Sequence, residues 1–242
     1  MIRAHFATFP PRRRIMRRVV EAILPQVDHL FVVLNGYEDI PGFLRKCGKV
    51  TAVVPDRDVK DAGKFWFQPA PEDIVFAIDD DIGYPPDYVA RTLDLIGPMG
   101  FQGHVFGYQG NAWATDGTAR PVWHNFLFRQ ELSEVRGVSV IGTGTLCARG
   151  DAIAPLSEIE PFAGACDYAY GHWLHRNAIL PWVLPRPAEW LTNDLPHNLR
   201  KSSLFVTVAR ARRPEHMAHL HAFAHDWPHA NRRFDEYHAT AF

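Results

Sequence analysis

The stretch that most constrains this 242-residue chain is residues 74–88, IVFAIDDDIGYPPDY. Five apolar residues in a row, Ile74 to Ile78, have the pattern of a strand buried on both faces. They run directly into Asp79, Asp80 and Asp81. A buried strand carries three acids only where it emerges into a polar site. Side chains alternate along an extended chain, so Asp79 and Asp81 share one side while Asp80 points elsewhere. Two carboxylates converging at a strand end suit a hard divalent cation, Mg²⁺ or Mn²⁺. The same run of acids is also compatible with a solvated turn or a helix cap. Gly83, Tyr84, Pro85 and Pro86 then turn the chain into a helix expected over residues 87–96.

Other segments repeat the theme of strand followed by helix. Strands are expected over residues 2–7, 28–34, 50–54, 104–108, 146–149 and 179–184. Extended pieces are expected over 122–128 and 138–141. Helices are expected over 12–24, from 62 to 67, from Asp151 to Leu156, over 166–176 and over 214–227. The alternation predicts an α/β fold with a mostly parallel central sheet. Ligands of such sheets sit beyond the C-terminal ends of the strands, where Thr8, Asn35, Asp61 and Asp79 fall. Residues 185–200 are rich in Pro and Asn and predict a loop able to act as a lid. Gly142-Thr143-Gly144-Thr145 lacks the Lys and helix of a P-loop and predicts a tight turn beside the site.

Composition narrows the partners. With a net charge of -1, nothing global favours nucleic acid. Cys47, Cys147 and Cys166 have neither zinc spacing nor a disulfide framework, which points to a reducing cytoplasm. No apolar leader and no membrane-length apolar run is present. Arg12, Arg13, Arg14, Arg17 and Arg18 crowd the start of the first helix, against its dipole. Arg12, nearest the strand end, is placed to reach a ligand phosphate, and the others form a solvated face or a peripheral contact with acidic lipid. His221 and His225 stand four apart, but without the HExxH pattern they read as packing or solvated groups. Trp113 and Trp190, in loop contexts, are candidates for stacking on a sugar ring.

Taken together, ATFPPRR (7–13), VLNGY (33–37), DAGKF (61–65) and IDDDIGYPPDY (78–88) resemble the GT-A-fold glycosyltransferases, particularly the bacterial family-2-like enzymes. The likeness covers the first half of the chain better than the second. It implies one GT-A-like domain over residues 1–242. Residues 1–110 would be the nucleotide-sugar and metal half; 111–242 would be the acceptor half, with a lid and a C-terminal helix. It implies a DxD-type metal site at Asp79 and Asp81, with Asp80 on the donor sugar or ribose. Thr8, Pro10 and Arg12 would meet the nucleotide. Asn35 stands where the family usually places an acidic turn, which leaves base recognition open. Asp61 would accept from base or ribose and Lys64 would reach the diphosphate. His197 corresponds to a C-terminal His that some of these enzymes recruit to the metal.

The implied activity is sugar transfer from a nucleotide-diphosphate donor to the hydroxyl of a glycan or glycoconjugate acceptor. UDP is the commonest donor nucleotide in the family, and GDP, dTDP or CMP stay open. An inverting transfer needs a later carboxylate as base. Among Asp151, Glu158, Glu160, Asp167, Glu189 and Asp194, the likeness favours Asp167, although Cys166-Asp167 replaces the usual Glu-Asp pair. The alternatives are a nucleotidyltransferase, whose Gly-rich loop after the first strand is missing here, and a non-catalytic carbohydrate- or nucleotide-binding protein.

Overall fold

The structure, a computed structural model, describes residues 1–114, 122–202 and 227–239. Thirteen strands are described, and eight of them form the central sheet. β1 (Ile2–Thr8), β2 (His29–Leu34), β3 (Val50–Val53) and β4 (Ile74–Ile78) open the chain. β5 (Ile82–Gly83), β6 (His104–Gly107), β7 (Gly110–Ala114) and β8 (Val122–Phe126) follow. β9 (Arg136–Gly137), β10 (Val140–Ile141), β11 (Thr145–Arg149), β12 (Leu180–Val183) and β13 (Thr192–Asn193) complete the set. The sheet order is β3-β2-β1-β4-β11-β6-β12-β9. β1 to β4 are mutually parallel, β6 and β12 run with them, and β11 and β9 oppose. The fold is therefore mixed α/β, Rossmann-like, with a mostly parallel sheet that spans both halves of the chain.

The burial alternation of the strands explains why helices cover both faces. Phe76 and Ile78 of β4 pack with α1 (Arg13–Ile23) and α3 (Tyr88–Ile96), between which the short α2 (Gly42–Arg45) falls in sequence. Val75 and Ala77 of the same strand pack on the other face. There they meet Cys166, Ala169, Tyr170 and Leu174 of α5 (Cys166–Arg176), which follows the one-turn α4 (Leu156–Ile159). β6, β11 and β12 divide in the same way. A strand apolar on both sides needs two partners, and the period of two delivers one residue to each.

Three expectations change. The segment expected to be helical over 62–67 is a 3-10 turn, Lys60–Phe65. Gly63 lies so close to β1 and β2 that an added Cβ would stand 2.9 Å from Val33 and 3.0 Å from Ala7, so the turn is flattened onto the strand ends. Asp151 caps no helix: it sits in a 3-10 turn, Gly150–Ala152, and α4 begins only after Pro155. In the 185–200 stretch, β13 pairs with β5, and the Asp194 N–H donates to Asp81 O at 2.8 Å. The middle of the expected lid is thus an anchored edge next to the acids. The helix expected over 214–227, with His221 and His225, lies outside the described residues apart from Trp227. The described terminal helix is Phe234–Ala239.

Candidate functional site

The site forms where β1 and β4 end side by side. The three acids lie at different depths. The Asp80 side chain is only 3% exposed, Asp81 21% and Asp79 37%. Asp80 turns inward, accepting from Thr8 Oγ1 at 2.6 Å and from Arg12 Nη1 at 2.5 Å. Arg12 Nη1 also lies 3.0 Å from Asp81 Oδ2. Pro10 begins the 3-10 turn, Pro10–Arg12, that swings this guanidinium back over the acids. Arg12 Nε is buried with no hydrogen-bond partner.

Lys64 is buried, not a surface lysine. Its ammonium is paired with Asp79 and lies 3.1 Å from Thr143 Oγ1. Burial works to lower its pKa, but the nearby carboxylates, Asp79 foremost, outweigh burial and raise it. Tyr84 fixes the first acid from behind. Its hydroxyl accepts from the Asp79 N–H at 2.9 Å and donates to Gly144 O at 2.6 Å.

Asp167, in the first turn of α5, joins this group across the Gly142-Thr143-Gly144 turn. Its Oδ1 accepts from the Thr143 N–H at 2.9 Å and from Thr143 Oγ1 at 2.6 Å. Burial pushes Asp167 upward and Lys64 pulls it back. Asp81 is pushed up to about 7, first by burial and then by the like charge of Asp79. Four carboxylates (Asp79, Asp80, Asp81 and Asp167) thus surround two cations (Arg12 and Lys64). When all six are ionised, two negative charges stay uncompensated.

Two of the expected ligand residues are occupied in holding the frame. Asp61 accepts from the backbone N–H groups of Gly164 at 2.5 Å and Cys166 at 3.2 Å. It caps α5, whose own N-cap residue is Ala165 and has no side chain able to do so. Asn35 accepts from the Val59 N–H and donates to Lys60 O, both at 3.0 Å. It ties the end of β2 to the turn carrying Lys64. Both side chains therefore hold backbone groups in the ligand-free protein.

His197 does not join the acids. It is exposed at the start of a 3-10 turn, His197–Ser202, after the chain leaves the β13 edge. Among the described residues, no group of three or more His, Cys, Asp or Glu side chains is arranged to hold a metal ion. The pair Asp79 and Asp81 still fits a divalent cation on chemistry: both offer hard oxygens on the more open side, and the surplus charge is of the right sign and size. Trp190 packs against Tyr88 and Tyr108, and its Nε1 donates to Asp87 at 3.3 Å. Trp113 meets Trp123 edge-on.

Thr143 is the member of the site that the sequence concealed. Its only signal is a threonine between two glycines just before a buried strand. The glycines matter by geometry: a Cβ on Gly144 would lie 2.1 Å from Asp79 Oδ2.

No protein-family model matches the chain, and no curated protein matches it. A solved structure of 4-diphosphocytidyl-2C-methyl-D-erythritol synthase resembles it with a TM-score of 0.47 at 10% identity, over 86% of this chain and 97% of that one.

Proposed function

We propose that the protein is a glycosyltransferase that uses a nucleotide-diphosphate sugar, with UDP as the first donor to test. The observation that supports this reading is the cluster of four carboxylates around Lys64 and Arg12 at the ends of β1 and β4. Mn²⁺ or Mg²⁺ would be held by Asp79 and Asp81. A divalent cation there, when bound, neutralises charge that builds on the departing diphosphate. Lys64 and Arg12 supply fixed positive charge beside the same oxygens. Arg12 Nε, buried without an acceptor, has a hydrogen bond to offer. Asp80 holds Arg12 and Thr8 in place. Asp167 takes the proton of the acceptor hydroxyl.

The acceptor is a glycan or glycoconjugate. Arg13, Arg14, Arg17 and Arg18 are exposed on the outer face of α1, a surface suited to peripheral contact with acidic lipid. Among the described residues no helix is long and apolar enough to cross a membrane.

Nucleotidyl transfer is the second reading, suggested by the name of the structural neighbour. The turn after β1 weighs against it. It carries no glycine, and Pro10 and Pro11 have no N–H to offer a phosphate. The product decides between the readings. With Mn²⁺ and a panel of nucleotide sugars, free nucleoside diphosphate is expected. Pyrophosphate released from a nucleoside triphosphate and a sugar phosphate would favour nucleotidyl transfer. Nucleotide binding with neither product would indicate a non-catalytic binder.

A further inference from the structure

Thr143 is fully buried, and its hydroxyl lies among Asp167, Lys64 and Cys166. Its N–H and its hydroxyl both donate to the same oxygen, Asp167 Oδ1, at 2.9 and 2.6 Å. Its Oγ1 in turn stands 3.1 Å from Lys64 Nζ, and Lys64 pairs with Asp79. One threonine therefore sits between the carboxylate on α5 and the acids at the end of β4. An ammonium has only protons to give, so at the Lys64 contact the hydroxyl oxygen accepts. Its single proton is then free for Asp167. Cys166 Sγ, 3.1 Å from the same hydroxyl, is a weaker acceptor than the carboxylate, so the hydroxyl proton goes to Asp167.

The consequence concerns which oxygen of Asp167 can react. Oδ1 holds two short hydrogen bonds from Thr143, and both favour the ionised carboxylate. We infer that Thr143 is a positioning residue: it occupies Oδ1 of Asp167, so that Oδ2 is the oxygen presented to substrate, and it ties that carboxylate through Lys64 to Asp79. This rests on the glycosyl-transfer reading for the identity of the substrate. In that reaction the acceptor oxygen bonds to C1 of the donor sugar, and its proton passes to Asp167 Oδ2. The bond from C1 to the phosphate oxygen breaks, and its electron pair leaves with the nucleoside diphosphate. Gly142 and Gly144 belong to the same device. They let the turn pass close enough to Gln109 and Asp79 for Thr143 to reach both neighbours.

The test compares Thr143→Val, Thr143→Ser and Asp167→Asn in the full chain. In ligand-free protein, the carboxyl carbon of Asp167 is titrated by NMR and assigned by its loss in Asp167→Asn. Thr143→Val is expected to move the Asp167 midpoint up by about one unit or more, because a bond to the charged form is lost. Thr143→Ser, which keeps the hydroxyl, should recover most of the wild-type midpoint. In the nucleoside-diphosphate release assay, Thr143→Val should lower kcat roughly tenfold or more, as expected for one hydrogen bond to a charged group. Donor KM should be unchanged, and Ser should rescue. Thr143→Ala, which removes the hydroxyl without adding bulk, carries the same expectations if the valine variant misfolds. An unmoved Asp167 midpoint in a folded Val or Ala variant would overturn the inference, as would an equal loss in Thr143→Ser. If the midpoint moves as expected but the wild-type protein transfers from no donor, the transferase reading fails and the positioning role stands.

Discussion

Gly144 has no side chain because Asp79 occupies the space where one would go. An alanine there would place its Cβ 2.1 Å from Asp79 Oδ2. The obstacle is the far end of a short side chain rather than backbone, so the carboxylate is expected to swing aside while the fold persists. Gly144→Ala should keep near-native thermal stability and weaken Mn²⁺-dependent nucleotide binding roughly tenfold, the loss typical of one charge-assisted contact. The cause can be isolated. In an Asp79→Ala background, Gly144→Ala should add almost nothing, because the two changes act on one contact. Additive losses, measured by calorimetric titration of Mn²⁺ and UDP, would mean that Gly144 acts elsewhere. Lys64 shows how far burial redirects a residue. The sequence expects Lys64 to reach a diphosphate; the 3-10 turn over residues 60–65 brings it against Thr143, and only then does its pairing with Asp79 follow.

At the scale of elements, the candidate base depends on a helix that does not cap itself. Ala165 precedes α5 and cannot accept from the first N–H groups. Asp61, a hundred residues earlier in the chain, does so instead. A carboxylate is well suited there, since it meets the positive end of the helix dipole as well as the orphan donors. Asp61→Ala should destabilise the protein by about 1–2 kcal/mol, in the range of a lost cap, read from urea unfolding. It should also lower transfer, because the first turn it frees carries Asp167. A stability loss with unaltered transfer would show that Asp167 is held by Thr143 alone. The β13–β5 pair makes a further prediction. Because Asp194 N–H donates to Asp81 O without any ligand, the Asp194 amide should be protected from hydrogen exchange in the free protein. Rapid exchange there, equal to that of an exposed loop, would mean that the edge beside the acids is not formed.

For the molecule as a whole, the response to acid follows from histidines buried in neutral form. His5 lies inside β1, with Nδ1 donating to Lys64 O at 3.0 Å and Nε2 accepting from Arg3 Nε at 2.8 Å. Burial, helped by the Arg3 charge, lowers its pKa to about 3. His229, against Pro181 O, is lowered to about 3 by burial as well. For each, the unfolded chain binds a proton near pH 6.5 that the folded chain refuses. Their contribution to stability is therefore complete above about pH 6.5 and is lost as the pH falls toward 3. Asp81, pushed up to about 7, acts in the opposite sense, favouring the folded state less as the pH rises toward 7. The difference between wild type and His5→Gln isolates the first effect. The variant should lose less stability between pH 6.5 and 4.5, measured by urea unfolding across that range. Parallel curves would place the acid sensitivity elsewhere.

Local pattern was enough for much of this protein. The five apolar residues before Asp79, the division of the central strands' residues between two faces and the length of α1, α3 and α5 follow from residues in contact along the chain, because alternation and helical spacing are properties of the backbone itself. What Asp61, Asn35, Lys64 and Thr143 do could not be read that way. Each finds its partner only when separate elements are brought together, from residues 24 to 105 positions distant. Sequence spacing carries no record of such a meeting. Packing of the two sheet faces decides it, and so decides that Asp61 caps a helix, that Asn35 ties a turn, and that His197 is left outside the group its sequence had suggested it would join.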